Sequence, residues 1–115
     1  MLSRYDIVLV AFPFTDGPAA KPRPALVITT SERHGDVLLA FISSNVSGPP
    51  GRDELDIPAD HPGFSGTGLN VSSRLRLSRM TTLAMPLVKR RIGVLPLPLQ
   101  ADCQEVLERV ICGRG

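Results

Sequence analysis

Residues 6–30 read DIVLVAFPFTDGPAAKPRPALVITT, and the punctuation of this stretch decides the fold. Ile7-Val8-Leu9-Val10-Ala11-Phe12 is rich in β-branched side chains and is stopped by Pro13, which predicts a strand over Asp6–Phe12. Alternation puts Ile7 and Leu9 on one face and Val8, Val10 and Phe12 on the other, so both faces are apolar and both require burial. Asp16-Gly17-Pro18 supplies a turn, with Gly17 free to take a positive φ. Lys21-Pro22-Arg23-Pro24 then sets a cation between two prolines at the mouth of a second strand, Ala25–Thr29. The prolines fix φ and hold Lys21 and Arg23 extended, which aims an arginine instead of leaving it to wander in solvent.

Outward from this stretch, SERHGD (31–36) reads as a hairpin loop leading to a third apolar strand, Val37–Ile42. Val46–Arg52 is a Gly/Pro-rich loop, Glu54–Ile57 a short strand, and Pro58–Gly66 a second loop. Leu69–Leu83 predicts one or two strands. Leu75 and Leu77 alternate there with Arg74, Arg76 and Ser78, and the phase breaks at Arg79 and Met80, as a β-bulge near Ser78–Met80 would require. Lys89–Leu95 is the last strand, ended by Pro96 and Pro98. From there Leu99, Cys103, Val106, Leu107, Val110 and Ile111 recur at helical spacing, with Pro98 suited to the first turn and Gly113 to the stop. The expected fold is mainly β with a C-terminal α-helix: one domain over residues 1–115, an antiparallel barrel at about 5–95 and a helix at about 98–112. Three strands apolar on both faces exceed what so short a chain can cover with one helix, so a homodimer is expected.

Composition narrows the function. The chain has 115 residues, a formal charge of +2 and a pI near 8.8, which permits an anionic partner without establishing one. No apolar segment resembles a signal peptide or a membrane span, so the sequence reads as cytoplasmic and free of a membrane. Cys103 and Cys112 fall on one predicted helix about 13 Å apart at about 1.5 Å per residue, too far for a bridge, and read as reduced, buried thiols. Walker and Rossmann glycine motifs, a GxSxG elbow and metal-ligand spacings are all missing, so no cofactor and no metal are expected.

The pattern DIVLV-x-FPFTD-G-x₃-K-x-RPALVIT resembles the opening of the MazF/PemK family of toxin endoribonucleases from bacterial type II toxin–antitoxin pairs. LAFISSN (39–45), SGTGLNVSSRLRLSRMTTL (65–83) and KRRIGVL (89–95) continue the resemblance in the family's order. It implies an SH3-like barrel, a homodimer, and metal-independent cleavage of single-stranded RNA by 2′-OH attack, leaving a cyclic phosphate and a 5′-OH. It also implies neutralisation by a cognate antitoxin whose peptide blocks the RNA groove.

RNA allows such chemistry because its 2′-OH already lies beside the scissile phosphate. The protein must align that nucleophile, take its proton, offset the added negative charge and protonate the leaving 5′-oxygen. Arg23 is the catalytic candidate for the charge, since a planar guanidinium grips two phosphate oxygens and keeps its proton. The resemblance falls on it as the arginine of the RP pair; the alternative is a surface arginine paired with Asp6 or Asp16. Ser43 is the second catalytic candidate. The family commonly has threonine there, so the hydroxyl is kept and the stiffening methyl lost. Ser44 and Lys21 are candidate RNA-binding residues, against a polar strand end and a solvated loop lysine. Arg74, Arg76 and Ser78, with Arg79 beside them, form a stripe that either tracks an RNA backbone or is a solvated face. The family often carries an acidic residue at about Ser78, and this chain does not. Phe14 is a base-stacking candidate or an inward loop anchor, whereas Phe12 and Phe41 read as core. His34 and His61 lie in loops, and Lys89-Arg90-Arg91 reads as a charged edge that protects a strand. The remaining alternatives are a gyrase-type poison of the same fold and a binding module that has lost the chemistry.

Overall fold

The computed structural model describes residues 1–11 and 21–113. The predicted end of the first strand, the Asp16–Pro18 turn and Phe14 lie outside the described residues. Six strands and one helix follow in order: β1 (Asp6–Val10), β2 (Arg23–Ser31), β3 (Asp36–Ser43), β4 (Glu54–Ile57), β5 (Ser73–Ala84), β6 (Val88–Val94) and α1 (Leu97–Cys112). The strands form one antiparallel sheet in the order β4-β5-β3-β2-β1-β6. The ladder is coiled but not closed: β4 and β6 remain its two edges, so the expected barrel is an open one.

Both faces of the central strands are buried, as their two-sided apolar pattern requires. On one face Ile7, Leu26, Ala40, Leu75 and Leu77 pack beneath Leu99, Cys103 and Val106 of α1. On the other, Val8, Val10, Ala25, Val27, Val37 and Leu39 are covered by Leu83 and by the partly buried Leu2, Met85 and Leu87. The described residues of one chain therefore cover both faces, so burial of these strands does not by itself call for a second subunit. The end of α1 also departs from expectation. Ile111, expected on the apolar face, is 64% exposed. Of the two free cysteines Cys103 is buried and Cys112 exposed, so only the first is a core thiol.

Of the one or two strands expected over Leu69–Leu83 the structure has one, β5 (Ser73–Ala84). β5 serves β3 along its whole length only by a register break: Ala40 faces Met80, while Phe41 faces Arg76. Leu77–Arg79 thus have no partner on β3, which is the interruption the broken alternation predicted. The bulged segment bonds the other way, with the Leu77 amide donating to the Asp53 carbonyl at 2.9 Å.

The short 3₁₀ turn Phe64–Thr67 lies on β6 through two glycines. A Cβ on Gly93 would come within 2.3 Å of the Thr67 carbonyl carbon, and one on Gly68 within 2.2 Å of the Ile92 carbonyl oxygen. Gly68 also has φ +74, a conformation other residues adopt with strain. This close approach places the segment Gly68–Val71 beside the sheet.

Candidate functional site

Where β2 begins and β3 ends, the structure opens a groove of about 640 Å³. Pairing of Val10 with Arg23 sets the start of β2 against the end of β1. Ala25 pairs with Phe41, so Arg23 and Ser43, each two residues further along, come to the same end and the same side of the sheet. Arg23, Ser43 and Ser44 line the groove, joined by Arg76 and Arg79 from β5, Arg90 and Ile92 from β6, and the backbone run Gly68–Val71. Arg23 is exposed and makes no ion pair among the described residues, and Asp6 is engaged elsewhere: it accepts from Arg91 Nε at 3.0 Å and from the Ser3 amide at 2.8 Å.

Charge is concentrated here. Four arginines and no carboxylate or imidazole stand among the described lining residues, although the whole chain carries only +2. Arg76 is partly offset, its Nε lying 3.4 Å from Glu54 Oε2. That Nε is buried and has no hydrogen bond, so the pair holds by charge alone while the remainder of the side chain faces the groove. Arg79 rests over the Phe41 ring at 5.8 Å from its centroid, a cation–π contact that fixes the guanidinium beside the groove. Ser43 Oγ accepts from the Asn45 amide at 3.1 Å, and its own proton has no acceptor among the described residues.

Other expected residues fall outside. Arg74, expected on an RNA-facing stripe, is buried and does not line the groove. Its Nε donates to Asp56 Oδ1 at 2.6 Å, and its terminal nitrogens reach Asp56 Oδ2 at 3.1 Å and the carbonyls of Ser47 and Gly48 at 3.0 and 2.6 Å. The hydrogen bond to Asp56 pushes its already high pKa further up. Arg74 is thus a clamp between β4, β5 and the loop after β3. Ser78 is exposed outside the groove and donates to Asp53, which lowers the Asp53 carboxyl below its ordinary value. Lys21 is exposed and does not line the groove. His34 sits in the β2–β3 turn, and His61 Nδ1 accepts from the Gly63 amide at 3.0 Å; neither lines the groove.

Arg90 and Phe41 line the groove although sequence read them as a charged edge and as core. Arg90 looks identical to its neighbours in the run Lys89-Arg90-Arg91, and only the Asp6–Arg91 pair separates them. Phe41 was read as core, yet it is half-buried at the groove because the bulge in β5 brings Arg79 over it. The break in alternation at Arg79 and Met80 was the available signal. Among the described residues no group of three His, Cys, Asp or Glu side chains is placed to hold a metal ion, and no helix is long and apolar enough to cross a membrane.

Fold and groove together define a small β-protein with an arginine-lined, hydroxyl-rimmed groove. The chain belongs to the family of PemK-like, MazF-like toxins of type II toxin–antitoxin systems, which it matches over residues 3–111. No curated protein matches it closely. Among solved structures it is similar to the Mycobacterium tuberculosis toxin MazF-mt6, at 22% identity and TM-score 0.69 over 93% of this chain and 96% of that one. It is also similar to a mycobacterial endoribonuclease in complex with its cognate antitoxin, at 10% identity and TM-score 0.72 over 100% and 99%. A third likeness is to MazF from Deinococcus radiodurans, at 20% identity and TM-score 0.66 over 96% of each chain. At these identities the likeness is one of fold.

Proposed function

We infer that the protein is a toxin endoribonuclease that cuts single-stranded RNA in the arginine-lined groove, acting in the cytoplasm as a homodimer and held in check by a cognate antitoxin. The observation that carries this reading is the convergence of Arg23 and Ser43 at one end of the sheet, inside a groove whose described lining has four cations and no anion. RNA supplies the nucleophile. The 2′-oxygen loses its proton and attacks the adjacent phosphorus; the 5′-oxygen leaves and takes up a proton. The products are a 2′,3′-cyclic phosphate and a 5′-OH. Arg23 grips the non-bridging oxygens as their charge grows, and Ser43 donates a hydrogen bond to the same phosphate. Arginines and hydroxyls can do both without a metal ion. An acidic antitoxin segment competes with RNA for these same cations.

A test follows from the nucleophile. An RNA with a single 2′-deoxy nucleotide at the cleaved position resists cutting, while the parent RNA yields cyclic-phosphate and 5′-OH ends. Cutting of the 2′-deoxy substrate at that position would refute the 2′-OH mechanism. The second reading, a non-catalytic RNA-binding module, is favoured by one observation: no carboxylate or imidazole stands among the described lining residues to move the protons. Binding of RNA without any product would decide for it.

A further inference from the structure

β6 is an edge strand that carries Lys89-Arg90-Arg91, and its three cations have different fates. Arg91 is committed to Asp6. Lys89 is exposed away from the groove. Arg90 alone lines the groove, is exposed, and makes no ion pair among the described residues. It pairs with Leu9, whose other neighbour is Pro24, next to Arg23. Arg90 therefore lies two strand spacings to one side of β2, and β5 with Arg76 and Arg79 lies two spacings to the other. The cations come from strands four spacings apart, about 19 Å measured along the sheet at about 4.8 Å each, more than one phosphate spans. Leu9, Leu69, Val71 and Ile92 line the same groove, and apolar groups there suit the sugars and bases of a strand better than a free mineral anion.

We propose that Arg90 is a phosphate-binding residue and that the RNA strand crosses the sheet from β5 to β6, with Arg79 and Arg90 holding phosphates on either side of the one at Arg23. This rests on the groove being the RNA site. The guanidinium fork of Arg90 makes charge-assisted hydrogen bonds to a phosphate displaced from the scissile one, so it positions the strand and takes no part in bond breaking.

The test is binding of a dye-labelled, fully 2′-deoxy oligonucleotide, which cannot be cut, measured across a salt series. Each phosphate contact on a single strand contributes about 0.7 to the slope of log K against log salt, so Arg90→Ala lowers the slope by about 0.7 and Arg79→Ala with Arg90→Ala by about 1.4. Lys89→Ala, outside the groove, leaves the slope where it was. Trimming the oligonucleotide from one end abolishes the effect of Arg90→Ala while that of Arg79→Ala persists. If Arg90→Ala melts below the parent, Arg90→Gln keeps the first part of the aliphatic stem and a polar end without the charge, and must lower the slope as well. A parent that binds, with a slope that neither Arg90 variant changes, overturns the proposal and leaves the groove reading standing. A parent that binds neither this probe nor RNA overturns both.

Discussion

Gly93→Ala tests how the groove is built. The added Cβ would lie 2.3 Å from the Thr67 carbonyl carbon and 2.4 Å from the Gly66 carbonyl oxygen. Ordinary contact begins about 1 Å further out, and both obstacles are backbone, so no side-chain rotation relieves them. Thr67 cannot yield easily. It is fully buried, its hydroxyl donates to the Phe64 carbonyl at 2.7 Å, and it accepts from the Leu69 amide at 3.1 Å. Overpacking of this kind costs about 3 kcal/mol, the upper part of the usual range. For a domain of this size that lowers Tm by about 12 °C, at about 4 °C per kcal/mol. The displaced segment continues into Gly68–Val71, so RNA affinity falls with stability even though no cation is touched. Gly66→Ala is the control: nothing lies within 4 Å of its Cβ position, and both Tm and binding stay near the parent. The assay is thermal unfolding by circular dichroism alongside RNA binding. A Gly93→Ala protein with the parent's Tm would refute the close-approach reasoning.

Arg74→Lys keeps the charge but loses the fork that spans Asp56 and the Ser47 and Gly48 carbonyls, so Tm falls by several degrees, whereas Lys89→Ala leaves it unchanged. Ser43→Thr retains the hydroxyl and cuts RNA at near the parent's rate, while Ser43→Ala loses about 10- to 100-fold in turnover by a single-cycle assay. Burial pushes the Cys103 thiol up to about 11 from an ordinary 9.0. The unfolded chain then releases that proton first as pH rises, so the contribution of Cys103 to stability is complete below about pH 9 and is lost toward about pH 11. Chemical unfolding across that window shows the decline, and Cys103→Ala flattens it. A thiol reagent modifies Cys112 at once in the native protein and Cys103 only after denaturant is added.

Elements set by local chemistry were legible. Short β-branched runs bounded by Pro, Gly and polar clusters located the strands, with β4 found at Glu54–Ile57 as expected. The helix differs by one residue at its start. Arg23 and Ser43 were readable because each sits at a strand end marked by its neighbours. What was not legible depended on partners distant in sequence. Arg74 and Arg76 share one alternating face and look equivalent, but β4 sets Asp56 beside the first and Glu54 beside the second. Loop carbonyls then complete the burial of Arg74 alone. Arg90 differs from Arg91 only because Asp6 lies more than eighty residues away in the chain and next to it in space. Covering both faces of the central strands did not need a second subunit, because Leu83, Met85 and Leu87 pack on the face that α1 leaves open. Periodicity reports that a face is buried and is silent about what buries it.

The most direct test of the account is cleavage of a long single-stranded RNA by the purified protein in excess EDTA, beside Arg23→Ala. The account predicts cutting by the parent and a loss of about 10²- to 10³-fold in rate for the variant, with an unchanged melting profile, since Arg23 is exposed and supports no ion pair among the described residues. Equal cutting by the two proteins, or no cutting by the parent across a broad set of RNAs, would contradict it.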